Sequence, residues 1–167
     1  MKPTAGVRST PASEFIDASR TLLTHDYLPK LLKCAEILSD DDVWWRPNES
    51  SNSVGNMLLH VCGNMREWII GGAGGQSVVR DRDREFAARE SMSRDELMAE
   101  VERTCRDVDR ALAALRETTL LDRIEVQGSQ VTRLHAVYHA IEHFSYHLGQ
   151  VVYVTKLRGG KDLGIFP

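Results

Sequence analysis

Residues 132–158, "TRLHAVYHAIEHFSYHLGQVVYVTKLR", carry a helical pattern of apolar residues without a break. At about 100° per residue, the apolar side chains from Leu134 to Val152 fall within an arc of about 100°. The pattern begins at about Thr132 and runs to Arg158, and the glycines at 159 and 160 end it. The stretch therefore predicts a long amphipathic helix with one face buried in a core.

Earlier parts of the chain repeat this periodicity three times. One pattern runs from residue 14 to about 38, with Pro29 inside it, where it should kink the helix or begin its second half. The next begins after Ser53, a good N-cap, and ends at the glycines 71 and 72. The third opens at Ser93 and Glu96, which form a capping box.

Four amphipathic helices predict an all-α protein with the architecture of an up-down four-helix bundle. The connections between the helices are long, and Gln127-Gly128 predicts the turn of one short hairpin. The segment "WWRP", residues 44–47, is expected to tuck its tryptophans against the bundle. We assign residues 1–12 to a flexible leader and residues 13–167 to a single helical-bundle domain.

Composition excludes several classes of partner. The chain of 167 residues has a net charge of −3 and no basic cluster interleaved with aromatic residues, which argues against nucleic acid as a ligand. No apolar run approaches the roughly 18 residues of a membrane span, and the N-terminus does not resemble a signal peptide. Cys34, Cys62 and Cys105 are far apart and odd in number, so we expect buried free thiols and a cytoplasmic location.

The last helix places its histidines unequally. His143 and His147 fall on the shoulder of the apolar arc, beside small residues at 136 and 140, whereas His139 lies furthest toward solvent. Imidazoles four residues apart can reach one ion, because their Cβ atoms lie about 5–6 Å apart. Spacing alone favours the plainer interpretation, in which these histidines are partly buried and hydrogen-bonded. A third ligand from another helix would change that balance, and His60 lies on the edge of the second helix.

These residues carry a resemblance to a known family. The stretches "SNSVGNMLLHVCGNMREWI" and "HFSYHLGQVVYVTKL", residues 51–69 and 143–157, resemble the DinB-like (DinB/YfiT) family of bacterial four-helix proteins. The shared pattern is a histidine in the second helix followed, in the last helix, by His-x-x-x-His-x-Gly-Gln. The resemblance implies a divalent metal ion, zinc or nickel, on His60, His143 and His147. His25 and His135 have no such partners and are expected on the surface.

Three neutral imidazoles would leave such an ion an open position, which is typical of catalytic rather than structural sites. Relatives in the family include enzymes that use small thiols, so the resemblance implies a metal-dependent transferase that joins a small thiol to an electrophile, or else a hydrolase that activates water. Asn64, Glu67, His139 and Gln150 are candidates for hydrogen bonds to the ligands, although exposure is the favoured interpretation for His139. Glu142 points away from His143, so no general base accompanies the histidines.

Other interpretations stay open. The protein could be a non-catalytic metal-binding or stress-response bundle that forms a homodimer through "WWRP" and the tyrosines of the last helix, Tyr138, Tyr146 and Tyr153. It could also hold no metal at all.

The glycine-rich "GGAGGQS", residues 71–77, lacks the lysine of a phosphate loop and is interpreted as a flexible connection that could cover the site. The alternating charges of "RDRDRE", residues 80–85, predict a solvated segment.

Overall fold

A computed structural model describes residues 9–165 of the chain. The predicted all-α architecture is confirmed: long helices pack around one apolar core, and the described strands form a single two-stranded hairpin. Residues 1–8 of the predicted leader lie outside the described residues, and the first helix begins at Pro11. The helices are α1 (Pro11–Thr21), α2 (Leu28–Ala35), α3 (Asp40–Trp44), α4 (Val54–Met65), α5 (Arg82–Ala87), α6 (Arg94–Ala113) and α7 (Arg133–Gly159).

The first long helix accommodates Pro29 with a π-helical stretch just before it. A π-helical stretch, Leu22–Tyr27, joins α1 to α2, and the backbone N–H of Leu28 donates to the carbonyl of Leu23 five residues earlier. Pro29 is then the second residue of α2, where the N–H that proline lacks has no helical role to fill. The helix therefore restarts at the proline, as one of the two predicted outcomes requires.

The second long helix begins and ends close to the predicted residues. The side chain of Ser53 accepts from the backbone N–H of Asn56, and the Asn56 side chain completes the capping box. After Met65 the helix continues as a second π-helical stretch, Arg66–Ala73, through the glycines at 71 and 72. This helix carries His60, so its N-cap fixes where that histidine enters the bundle.

The loop before α4 is held by a tryptophan. The ring of Trp44 lies against Gly55, where an added Cβ would come within 2.8 Å of the ring, and its Nε1 donates to the carbonyl of Met92 at 2.8 Å. Trp45 lies under the guanidinium of Arg158, 4.9 Å from the ring centroid. Both tryptophans thus pack against the bundle as predicted.

The core fills the space between the long helices. α4 contacts both α6 and α7, and α2 contacts the same pair from the other side. The largest fully buried side chains come from every long helix: Leu23, Leu58, Met65, Ile69, Leu97, Leu112 and Phe144. None of the described helices combines the length and the apolar character that a membrane crossing requires.

The hairpin occurs at the predicted turn. β1 (Arg123–Val126) pairs antiparallel with β2 (Ser129–Thr132), and the two residues between them, Gln127 and Gly128, have φ of 52° and 73°. Positive φ at both central residues is the conformation of a type I′ turn. β2 leads directly into α7, because the side chain of Thr132 caps the helix by accepting from the N–H of His135.

The segment between the second and third long helices departs from the prediction. Residues 80–85 are not a uniformly solvated run, because α5 begins at Arg82 and turns Glu85 into the bundle. Asp81 caps this short helix by accepting from the N–H of Arg84. α5 lies against α4, on the turn that carries His60.

Candidate metal centre

His60 is buried between α4 and α5. Its side chain is 8% exposed, and its ring packs against that of Phe86 with centroids 4.6 Å apart. Its Nδ1 lies 3.0 Å from Oε2 of Glu85. A carboxylate in this position accepts the Nδ1–H and so leaves Nε2 with a free lone pair. Burial and this hydrogen bond together fix the direction of the ring.

His143 and His147 approach His60 from α7. The two rings lie edge to face with centroids 4.5 Å apart, and each histidine is half-buried. Next to them the helix carries Ala136 and Ala140, both fully buried, whose small side chains leave room for the imidazoles. Nε2 of His143 is 3.2 Å from Nε2 of His60. One ring nitrogen from each of the three histidines lies within 4.8 Å of the other two.

The three histidines fit a metal ion. Two nitrogens bound tetrahedrally to zinc at about 2.0–2.1 Å lie about 3.3 Å apart, close to the 3.2 Å between His60 and His143. Nδ1 of His147 lies 2.7 Å from the side-chain carbonyl oxygen of Gln150, which frees Nε2 of His147 as Glu85 does for His60. Nδ1 of His143 is buried and has no partner among the described residues. One ring nitrogen from each of the three histidines could therefore bind the same divalent ion.

Electrostatics keep the donors neutral. Burial lowers the pKa of His143 to about 3, and the neighbouring histidines and Arg80 add to the effect. Burial also lowers the pKa of His147, although the hydrogen bond that its Nδ1–H donates to Gln150 acts in the opposite direction. A protonated imidazole cannot bind a metal ion, so both residues are in the ligating state at neutral pH.

An ion pair supports His60 from behind. Nε and Nη2 of Arg80 donate to the two oxygens of Glu85 at 2.7 and 2.8 Å, and Nη1 donates to Glu67 at 2.8 Å. The side chains of Arg80 and Glu85 are only 7% and 9% exposed. Burial favours the neutral form of Glu85, but the hydrogen bonds from Arg80 and His60 outweigh it and lower the pKa of this carboxyl. The carboxylate is therefore charged where it meets the imidazole.

Gly63 leaves the space in which the Glu85 carboxylate lies against α4. Gly63 lies one turn after His60, and a Cβ added there would come within 1.9 Å of Oε1 of Glu85. Sequence reasoning missed Arg80 and Glu85 because it treated their segment as solvated. Two signals were available: Gly63 in the middle of an amphipathic helix, which marks a close approach, and Phe86 directly after a charged run.

Of the residues expected to hydrogen-bond to the three histidines, Gln150 does so, whereas Glu67 and Asn64 contact other side chains. Gln150 contacts His147, as described. Glu67 contacts Arg80 and accepts from Gln127 at 2.7 Å, so Glu85 rather than Glu67 lies on His60. Asn64 is buried, with its amide nitrogen 3.5 Å from Nε2 of His139.

His139 differs from the favoured expectation of exposure. It is half-buried, and its ring lies 4.1 Å from that of Trp68, centroid to centroid. Burial lowers the pKa of His139. His25 and His135 are exposed, as expected.

Other reactive groups are remote or inert. Cys34, Cys62 and Cys105 are buried free thiols, as predicted, and burial raises the pKa of Cys62 to about 11. Glu142 is exposed on α7. Among the described carboxylates, Glu85 is the one hydrogen-bonded to a histidine of the cluster, and its oxygens are already occupied by Arg80.

Comparison with known proteins places the chain in a family. The profile of the family described as "Protein of unknown function (DUF1572)" matches residues 12–165. Among solved structures, a DinB-like protein from Bacillus cereus ATCC 10987 is similar with a TM-score of 0.68 and 15% identity, covering 86% of this chain and 91% of its own. A DinB-like protein from Bacillus subtilis is similar with a TM-score of 0.62 and 21% identity, covering 89% and 93%. No curated protein matches the chain.

Proposed function

The chain belongs to the DUF1572 family and has the DinB-like fold, and on that basis we propose that it binds one divalent metal ion, zinc or nickel, through His60, His143 and His147. One observation carries the proposal: a ring nitrogen from each of the three histidines lies within 4.8 Å of the other two. The buried carboxylate of Glu85 on Nδ1 of His60 supports it, because metal-bound imidazoles almost always donate their second N–H to such a group.

The proposed activity is a metal-dependent transfer in which a small thiol attacks an electrophile. An ion held by three neutral imidazoles keeps its full charge and an open position, and so favours the ionised form of a thiol or water molecule. In the transfer, the thiol would release its proton to bulk water and a bond would form between sulfur and an electrophilic carbon, while the bond from that carbon to the leaving group breaks and its electron pair goes to the leaving group. The protein contributes the donor geometry, fixed by Glu85 and Gln150.

The carboxylates favour a thiol over water as the nucleophile. Hydrolysis at a three-histidine site calls for a general base within reach of the water. Glu85 is held by two hydrogen bonds from Arg80 and by His60, and Glu142 is exposed. A thiol needs less assistance, because its pKa is far closer to neutrality than that of water. Hydrolysis is therefore the less supported of the two reactions.

A thiol-consumption assay tests the activity. Zinc-loaded and nickel-loaded protein would be given a panel of cellular thiols with an epoxide or an aryl chloride, and loss of free thiol would be followed in time. The proposal predicts turnover that is lost in His143→Ala and kept in His135→Ala, a change to an exposed histidine of the same helix. Metal-loaded protein that consumes no thiol faster than the His143→Ala variant would contradict the transferase assignment while leaving metal binding intact.

A non-catalytic, dimeric metal-binding bundle is the second candidate. It is favoured by exposed aromatic residues on α7: Tyr138, Tyr146 and Tyr153 are 60%, 60% and 70% exposed. Light scattering of metal-loaded protein would report a dimer mass that falls to the monomer mass in Tyr138→Lys. A monomer at micromolar concentration would contradict this candidate.

A further inference from the structure

A cleft of about 660 Å³ opens beside the histidine cluster. One wall is the face of α7 that carries Tyr146, Gly149 and Tyr153, and the other is the loop that holds Pro47 and Asn52. His147 lies in the lining of this cleft and also in the three-histidine cluster. A small molecule in the cleft would therefore reach the histidines at the His147 end. Binding sites of this kind typically have volumes of about 300–1,000 Å³.

The lining carries no formal charge. Its polar groups are the neutral side chains of Ser51, Asn52 and Gln150 and the two tyrosine hydroxyls, and the rest is apolar or aromatic. His147 contributes an imidazole, and none of the described Asp, Glu, Lys or Arg residues lines the cleft. Another cleft, of about 570 Å³, lies behind α5 and offers the opposite chemistry, since its lining includes Arg66, Arg80, Asp81, Arg84, Glu85 and Glu100. The contrast shows that neutrality is a property of this one cleft rather than of the surface at large.

Charge complementarity then selects the ligand. A carboxylate or phosphate that leaves water for a neutral wall loses hydration and gains no counter-charge, whereas a neutral aromatic or amide-bearing molecule loses little and gains stacking on tyrosine. Hydroxyl and amide side chains can satisfy neutral donors and acceptors.

We propose that this cleft binds the organic portion of the substrate and that this portion is an uncharged, aromatic or amide-bearing group, with its reactive end directed toward His147. The assignment rests on the proposed function in so far as the cleft is the approach to the three histidines. Tyr146 and Tyr153 flank the group, and Asn52 and Gln150 offer hydrogen bonds to it.

Gly149 provides a way to close the cleft without disturbing the fold. A Cβ added to this residue would meet nothing within 4 Å, and the residue lies in the middle of α7, where other residues have higher helix propensity than glycine. Gly149→Trp would place an indole in the cleft, and Gly149→Ala is the matched control that leaves it open. Neither substitution replaces a histidine of the cluster.

The test uses two probes of one shape, para-(mercaptomethyl)benzamide and para-(mercaptomethyl)benzoate, which differ only in charge. Each would be titrated into zinc-loaded and metal-free protein, with dissociation constants taken from protein NMR shifts and zinc content measured in the same samples. The amide should bind metal-free protein at least tenfold more tightly than the carboxylate, because no ion then offsets the negative charge. Gly149→Trp should weaken amide binding at least tenfold, and Gly149→Ala should leave it within twofold.

A positive charge inserted into the lining should reduce the preference for the amide. Asn52→Lys should tighten binding of the carboxylate probe at least fivefold, while Asn52→Gln should not. Equal or tighter binding of the carboxylate by metal-free wild type, or unchanged amide binding by Gly149→Trp, would overturn the proposal. Protein that retains no zinc would instead refute the proposed metal site, and the comparison of the two probes on metal-free protein would still decide the cleft.

Discussion

Replacing Glu85 by glutamine should weaken zinc binding by about 10- to 100-fold. Oε2 of Glu85 lies 3.0 Å from Nδ1 of His60, so the substitution exchanges a charged acceptor for a neutral one of the same shape. A hydrogen bond to a charged group contributes about 1.5–3 kcal/mol, and each 1.4 kcal/mol changes a dissociation constant about tenfold. The same range is typical for the loss of a carboxylate behind a zinc-bound histidine.

The same substitution should also destabilise the metal-free protein. The side chain of Arg80 is 7% exposed, and two of its nitrogens donate to the charged carboxylate of Glu85. In the variant Arg80 would keep only the ion pair with Glu67. We expect the free energy of unfolding to fall by about 1–3 kcal/mol, measured by urea denaturation. Zinc affinity would be measured on folded protein by competition with a chromogenic chelator, so that the two effects are separated.

Glu100→Gln is the matched control. Glu100 is 13% exposed and pairs with Arg66, away from the histidines, so its loss should destabilise the protein without changing the affinity for zinc. Equal dissociation constants for zinc in wild type, Glu85→Gln and Glu100→Gln would refute the assignment of Glu85 as the residue that orients His60.

The remaining predictions concern stability. Gly63→Ala should lower the free energy of unfolding by about 1–3 kcal/mol in urea, because its Cβ would displace Glu85. Gly149→Ala should instead raise it by about 0.5–1 kcal/mol, since the Cβ meets open space in a helix; a loss at Gly149 or no loss at Gly63 would contradict the packing described. For metal-free protein, acid should destabilise: below pH 6.5 the unfolded chain protonates His143, whereas the folded chain does so only near pH 3. Partial exposure reduces the effect to about 1–2 kcal/mol at pH 5 relative to pH 8. His143→Gln should flatten this slope in thermal melts across pH, and an unchanged slope would show that another group is responsible.

Periodicity and capping residues predicted the helices well. Ser53 and Ser93 each cap the helix expected of them, and Gln127-Gly128 forms the predicted turn. These features are local, because the signal for each element lies within a few residues of it. The outcome at Pro29 was open, because a proline inside a helical pattern can either kink the helix or follow a wider turn.

The histidine cluster was predictable only in part. The helical wheel placed His143 and His147 on the edge of the core, and the resemblance to the DinB-like family added His60 from a distant helix. The structure brings the three together, with ring nitrogens 3.2 Å apart between His60 and His143. What spacing could not show is which residues from other segments reach the rings, since that depends on how the helices pack.

Arg80 and Glu85 illustrate this limit. Their segment alternates in charge, a pattern that in most proteins faces solvent, yet Glu85 on α5 and Arg80 in the loop before it both turn inward over Gly63. The ion pair can be buried because each charge is neutralised by the other and further hydrogen-bonded to Glu67 or His60. No periodicity in the segment encodes that pairing.

Metal content tests the central claim most directly. Protein purified without a histidine tag would be analysed for bound metal in wild type, His143→Ala and His135→Ala, before and after incubation with zinc or nickel. The account predicts about one divalent ion per chain in wild type and in His135→Ala, and little in His143→Ala. Wild-type protein that is free of metal and does not take up added zinc or nickel would contradict it, and the three histidines would then be hydrogen-bonded polar residues of a helical bundle.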